Sequence, residues 1–285
     1  MDINGKTKIL AVIGNPIEHT ASPKMHNAMI QHLGLNYIYI PLKPELDNLE
    51  HVIKAIKCEN ILGINVTIPF KEKVIPYLDE IEITASHIGA VNTIVNTRGS
   101  LKGYNTDGMG FIESLSSEYK VNVENKKIVI IGAGGAAKSI AFTLINNNIS
   151  ELTIINLFLD QAESLKTNLL KYSNIKIKAL LSQDSSIYQE LNSADIVINA
   201  TPIGMEPNVN ASPIDSFEWA GPKHFVYDVI YKPKKTLFLS CSKNKGASIG
   251  FGYGMLVGQG KIAFELITGE KADYEIMKKE VLKLC

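Results

Sequence analysis

The stretch that most restricts the fold of this 285-residue chain is Gly132-Ala133-Gly134-Gly135-Ala136-Ala137. It follows an unbroken apolar run from Ile128 to Ile131, a strand, and leads into residues with helical patterning up to about Asn148. A second apolar strand, residues 151–156, comes next. Strand, tight turn, helix and strand in this order define a parallel β-α-β unit. In such a unit the first glycine permits the turn and the second lets the backbone approach a ligand. The small residue at Ala137 lets helix and strand pack closely. The free N–H groups at the helix N-terminus, at the positive end of its dipole, suit a pyrophosphate. The bare pattern also fits an ordinary glycine-rich turn. Flanked by all three elements, it predicts a dinucleotide held by Gly132, Ala133, Gly134, Gly135 and Ala136.

The end of the second strand usually selects the dinucleotide: an acid binds the ribose 2′-hydroxyl of NAD, and a nearby arginine binds the 2′-phosphate of NADP. Here the sequence runs Asn156-Leu157-Phe158-Leu159-Asp160, with no basic residue before Lys166. Asn156 is neither acid nor base. Asp160 suits a ribose and would repel a phosphate.

Around this unit the pattern is α/β throughout. Strands are predicted at 8–16, 36–42, 64–71, 194–201, 224–231 and 246–252, and a hairpin over 90–96 and 100–106. Helices are predicted at 22–35, capped by Ser22 and started by Pro23, at 45–61, at 253–270 and from 273. Residues 71–89 read as two short helical pieces around Pro76. The alternation predicts open, mostly parallel sheets.

Hydrophobic residues make up 45% and charged residues 20%, with formal net charge +0, which argues against disorder and against nucleic acid or anionic membrane as partner. No apolar run approaches the roughly 18 residues of a membrane helix, and the first residues show no signal-like region. A cytoplasmic protein is expected. Cys58, Cys241 and Cys285 are odd in number and far apart, which predicts reduced thiols; with six scattered histidines, no metal is expected.

Four polar groups fall on loops at the strand carboxyl ends, where open α/β sheets bind ligands. They are Thr20 and Ser22; Asn65, Thr67 and Lys71; Asn92; and Asn105-Thr106-Asp107. In "INVTIPFK", residues 64–71, Ile64, Val66, Ile68 and Phe70 alternate with Asn65, Thr67, Pro69 and Lys71. That spacing predicts an oily face and a polar face, with the ladder ending near Pro69 and Lys71 just beyond it. Each polar residue alone has a plainer reading, as cap, turn or solvated lysine. Together, hydroxyls, amides, one ammonium and one carboxylate suit a small polyhydroxylated acid.

The motifs "GNPIEHTASPKMHNA", "NVTIPFK", "GAVNT", "GYNTDG", "GAGGAA", "INATPIGM" and "GMLVGQG" stand in one order from about residue 8 to 270. In this the chain resembles the shikimate dehydrogenases, the family of shikimate and quinate dehydrogenases. The resemblance implies reversible NADPH-dependent reduction of 3-dehydroshikimate to shikimate in aromatic amino-acid (chorismate) biosynthesis. It implies a two-domain α/β fold. Residues 1–106, joined by C-terminal helices 253–285, would form an open α/β substrate-binding domain, and 107–252 a Rossmann-like NAD(P)-binding domain, with the site in the cleft. It implies Lys71 and Asp107 as the catalytic pair, and Thr20 and Ser22 on the substrate carboxylate. Ring-hydroxyl contacts fall on Asn65, Thr67, Asn92, Asp107 and Gln259, with Tyr231 close to the substrate. Ala200, Thr201, Met205, Val229 and Gly252 fall around the nicotinamide, and Asn156 near the adenosine ribose.

Three positions depart from the family pattern. Thr20 replaces a serine and adds a methyl group. Asn156-Leu157-Phe158 replaces Asn-Arg-Thr and so removes the arginine of the 2′-phosphate, which makes NAD(H) plausible beside NADP(H). Phe251 replaces an Asn or Asp, and nothing in the sequence explains it. An NAD-preferring quinate/shikimate dehydrogenase is the nearest alternative. A non-catalytic ligand or redox sensor is remote, because Lys71 and Asp107 are both present. The expected partner is a small molecule and the expected state a monomer or homodimer.

Overall fold

The computed structural model describes residues 3–284 and resolves two compact units, one running up to Gly110 and resuming over Val257–Leu284, the other Phe111–Leu256. The first unit runs β1 (Lys8–Ile13), α1 (Ser22–His32), β2 (Tyr37–Leu42), α2 (Leu49–Ala55) and β3 (Ile61–Val66). It continues through β4 (Glu80–Ile81), α3 (Ile83–Ile88), β5 (Thr93–Thr97) and β6 (Ser100–Tyr104) into α4 (Asp107–Ser114). Its sheet order is β2-β1-β3-β5-β6-β4. β2, β1 and β3 are parallel, the β5–β6 hairpin reverses direction, and β4 lies parallel to β6, so this sheet is mixed. Ile13, Leu49, Ile53, Ile64, Val66, Phe70 and Leu101 build its core.

The polar-faced strand is shorter than its alternation suggests. It ends at Val66, where Thr67 N–H closes onto Ile13 O (2.9 Å) and the chain turns, Phe70 N–H bonding Thr67 O (2.9 Å). The two-residue period therefore fails beyond 66. Ile68, expected on the oily face, is 70% exposed, while Asn65, on the polar face, is buried. Ser22 is also not a cap. Ala21 holds that position without a side-chain bond, and Ser22 N–H donates to Thr20 Oγ1 (3.3 Å), so Ser22 opens the helix. The helix expected over 45–61 is a short 3₁₀ turn followed by α2, because the chain must turn at 56–60 to enter β3.

The second unit runs β7 (Lys127–Ile131), α5 (Gly135–Ile145), β8 (Glu151–Asn156), α6 (Leu159–Leu169), β9 (Lys176–Leu181) and α7 (Ile187–Ser193). It closes with β10 (Ile196–Asn199), β11 (Phe225–Asp228), α8 (Leu237–Asn244) and β12 (Ser248–Phe251). Every pairing is parallel, in the order β12-β11-β10-β7-β8-β9. Strand order reverses between β7 and β10, the switch point at which such sheets bind ligands beyond the strand carboxyl ends. β9, α6, α7 and α8 lie outside the elements predicted from sequence; they are short or charged, as in β9 with Lys176 and Lys178. The chain then forms α9 (Tyr253–Thr268) and α10 (Tyr274–Leu282), and α10 packs on α1. Cys58 and Cys241 are free thiols, and Cys285 lies outside the described residues. Among the described residues no helix is long and apolar enough to cross a membrane.

Candidate active site

In the first unit the turn after β3 delivers Lys71. Its carbonyl accepts Val91 N–H (2.8 Å), which ties it to the segment leading into β5. Its Nζ donates to Asp107 Oδ2 at 2.5 Å, with the two side chains 24% and 9% exposed. Asp107 is the first residue of α4, where the helix dipole favours a carboxylate. Its N–H donates to Asn105 Oδ1 (3.1 Å), and Asn105 Nδ2 is held by Ala90 O (2.9 Å). Asn92 joins the remaining groups. Its Nδ2 donates to Asp107 Oδ1 (2.8 Å), Thr106 Oγ1 (2.9 Å) and Gln259 Oε1 (3.4 Å), while its Oδ1 accepts from Thr106 N–H (2.8 Å). A further bond runs from Thr106 Oγ1 to Gln259 O (3.1 Å).

Gln259 reaches this network because α4 and α9 cross at two glycines. A Cβ on Gly110 would lie 2.3 Å from Gln259 N, and one on Gly258 would lie 2.5 Å from Gly110 O. Only bare backbone on both helices permits this approach.

Asn65 joins from the other side. Its Nδ2 donates to Thr93 Oγ1 (3.2 Å) and Asn92 O (3.4 Å), and its Oδ1 accepts from Tyr39 Oη at 2.8 Å. Tyr39, fully buried on β2, also meets the Ser22 hydroxyl, so its phenol links two expected substrate contacts. A buried tyrosine in a strand gives no sequence signal beyond core packing. Thr67 packs against Gly14. Tyr231 belongs to the second unit, so the first unit alone gathers every other expected substrate residue.

Beneath Tyr39 lies His26, stacked on the phenol ring at 4.2 Å and also near Phe264 (5.9 Å). It is wholly buried, and neither ring nitrogen has a hydrogen-bond partner among the described residues. Burial lowers its pKa from 6.5 to about 3. The unfolded chain therefore binds a proton below pH 6.5 that the folded chain refuses until about pH 3. Stability should fall with acidification across that window, by about 1 kcal/mol per pH unit between roughly 6.5 and 4.5. His26→Phe, which keeps the stack, should flatten that slope relative to the parent in urea titrations at pH 7, 5.5 and 4.5. Parallel pH profiles of the two proteins would show that His26 is not the source.

In the second unit Gly132 adopts φ +113°, a conformation that favours glycine, and its missing Cβ makes room for Ala200 O and Thr201 Cγ2 across the switch point. Gly134 caps α5 without any side-chain bond. A Cβ on Gly134 or Gly135 would meet nothing within 4 Å. Open space in front of free helical N–H groups fits the pyrophosphate of a dinucleotide. At the end of β8, Asn156 Nδ2 is engaged within its own turn by Phe158 O (3.0 Å) and Gln161 Oε1 (3.1 Å), and Leu157 and Phe158 are 55% and 56% exposed. Ala200, Thr201, Met205 and Val229 sit on the loops after β10 and β11. Gly252 follows β12, packed so closely on Val229 that a Cβ would lie 2.2 Å from its carbonyl oxygen. Phe251, unexplained by sequence, stacks on Tyr253 (5.9 Å) with Lys234 Nζ 5.8 Å from its ring centre.

A parallel sheet whose glycine turn opens at its switch point places the second unit in the class of dinucleotide-binding α/β proteins. Family models described as the shikimate dehydrogenase substrate binding domain, shikimate / quinate 5-dehydrogenase and the shikimate 5′-dehydrogenase C-terminal domain match residues 12–94, 114–220 and 252–282. The chain is 46% identical to a shikimate dehydrogenase (NADP(+)) of Methanosphaera stadtmanae, across 99% of this chain and 98% of that one. A crystal structure of a shikimate dehydrogenase in complex with NADP+ superposes with TM-score 0.92 at 41% identity, covering 99% and 97% of the two chains. The Listeria monocytogenes shikimate 5-dehydrogenase, in complex with shikimate and NAD, superposes with TM-score 0.93 at 33% identity, covering 98% of each. This chain belongs to the shikimate dehydrogenase family, NAD(P)-dependent oxidoreductases acting on a CH–OH group.

Proposed function

We propose that this chain catalyses the reversible NAD(P)H-dependent reduction of 3-dehydroshikimate to shikimate, with Lys71 and Asp107 handling the proton. The carrying observation is the Lys71–Asp107 pair at 2.5 Å, tied through Asn92 to Gln259. A bound nicotinamide supplies a hydride to the carbonyl carbon, or accepts one in the reverse direction. Lys71 Nζ–H donates the proton that the carbonyl oxygen needs and recovers it in reverse. Asp107 holds the ammonium in place and accepts from a neighbouring substrate hydroxyl. Thr20 and Ser22 bind the substrate carboxylate. Asn65, Thr67, Asn92 and Gln259 sort the ring hydroxyls by donor and acceptor, and Tyr231 is the expected substrate contact of the second unit. Gly132 to Ala136 hold the pyrophosphate. Ala200, Thr201, Met205, Val229 and Gly252 line the nicotinamide, and Asn156 lies at the ribose. Purified protein that reduced neither nucleotide with shikimate would overturn this reading.

The cofactor preference proposed is a relaxed one. Leu157 and Phe158 present exposed apolar side chains where a 2′-phosphate needs a cation. The ratio of kcat/KM with NADP+ to that with NAD+ should stay within about tenfold. Leu157→Arg should raise that ratio at least about tenfold, since a charge-assisted hydrogen bond contributes about 1.5–3 kcal/mol. A parent enzyme favouring NADP+ by more than about a thousandfold would place the phosphate on other groups.

A further inference from the structure

Asn199 and Asp228 end β10 and β11, face each other in register and are wholly buried. Neither belongs to the expected site. Asn199 Nδ2 donates to Asp228 Oδ1 (3.1 Å), which also accepts Ile230 N–H (3.0 Å). Asp228 Oδ2 accepts from Thr236 Oγ1 at 2.6 Å, and Thr236 caps α8. On the other side Asn199 Oδ1 accepts both the N–H (3.0 Å) and the hydroxyl (2.7 Å) of Thr201. Asn199 O receives Val229 N–H (3.0 Å). One carboxylate thus ties together the loop at 200–203 and the loop at 229–236. Thr201 in turn leans on Gly132 of the pyrophosphate turn.

A buried carboxylate is an expensive way to hold two loops. Among the described residues its hydrogen-bond partners are neutral, and desolvation raises its pKa to about 6. Apolar packing would stabilise the strand ends without that penalty. What the acid provides is direction: two oxygens accept three hydrogen bonds and fix the backbone of the loops that follow β10 and β11, on one side of the switch point.

We propose that Asp228 is a positioning residue which, through Asn199 and Thr236, presets the loops at 200–203 and 229–236 to receive the nicotinamide half of the dinucleotide. This rests on the dinucleotide reading of the second unit. It assigns Asp228 no contact with cofactor or substrate. Its loss should therefore be felt at one end of the dinucleotide only.

The test compares the parent with Asp228→Asn and Thr236→Val, the latter removing one partner without touching the acid. Calorimetry measures affinity for NAD+, for NADP+ and for ADP-ribose, the same nucleotide without nicotinamide. If the parent binds none of them and shows no turnover, the dinucleotide reading itself fails. If the parent binds, both variants should bind NAD+ and NADP+ about tenfold more weakly and ADP-ribose within twofold of the parent. Their kcat should fall about tenfold or more, with KM for shikimate within threefold. Equal weakening for NAD+ and ADP-ribose, or a lower Tm with unchanged nicotinamide affinity and kcat, makes the network merely structural and overturns the proposal. If Asp228→Asn fails to fold, Thr236→Val decides alone by the same comparison.

Discussion

Lys71→Met should lower kcat for shikimate oxidation by about a thousandfold or more, with KM for shikimate moving less than about fivefold. Methionine keeps the length and apolar stem of lysine and removes only the proton carrier. A positioned acid or base contributes about 10²–10⁴-fold to such reactions. Asp107 stays in place in the variant, because Asn92 Nδ2 (2.8 Å) and the start of α4 hold it independently of the ammonium. Lys71→Arg separates charge from proton transfer. Its guanidinium keeps the ion pair, but arginine does not give up its proton in proteins. It should hold KM near the parent value and still lose most of kcat. Steady-state kinetics of both variants decide the matter: a Lys71→Met enzyme within tenfold of the parent would move the proton transfer to another group.

Gly110→Ala should lower Tm by about 5–10 °C and raise KM for shikimate about tenfold. The new methyl would lie 2.3 Å from a backbone nitrogen of α9, so no side-chain rotation relieves the clash. The helices must separate, and overpacking of this kind costs about 1–3 kcal/mol, worth about 2–4 °C of Tm per kcal/mol in domains of this size. Separation also withdraws Gln259 from Thr106 and Asn92, now joined at 3.1 and 3.4 Å. Met109→Ala, at an exposed neighbour, should shift Tm by less than about 2 °C. Thermal melts and shikimate kinetics on both variants test this. An unchanged Tm with parental KM for Gly110→Ala would mean that the crossing opens freely.

The glycine turn was legible because its geometry is a backbone matter: Gly132 needs its positive φ, and a sequence displays glycine directly. Asp107, Asn92 and Lys71 were legible as motif members, and their hydrogen bonding was not. Periodicity carried the strand too far. It ended the ladder near Pro69 with Lys71 just beyond it, whereas the sheet ends at Val66 and a turn delivers the lysine. Asn65 read as one of a polar, substrate-facing set, and its burial was not legible, because its amide is satisfied by Tyr39 and Thr93 from other strands. Asn199 and Asp228 were invisible for the same reason. Each is a polar residue at a strand end, and only the parallel register of β10 and β11 makes them partners.

The return of the chain to its first unit has a consequence for biosynthesis. α1 carries Ser22 and His26, and α10 covers it only when the last residues are made; Asp273 N–H even bonds Met29 Sδ (3.2 Å). Phe111–Leu256, by contrast, is contiguous. During translation the central unit has its whole sequence available early, while the first must wait half-finished, with the apolar side of α1 uncovered, until the ribosome releases the tail. A chain cut short near residue 270 therefore leaves uncovered the face of α1 that α10 packs on.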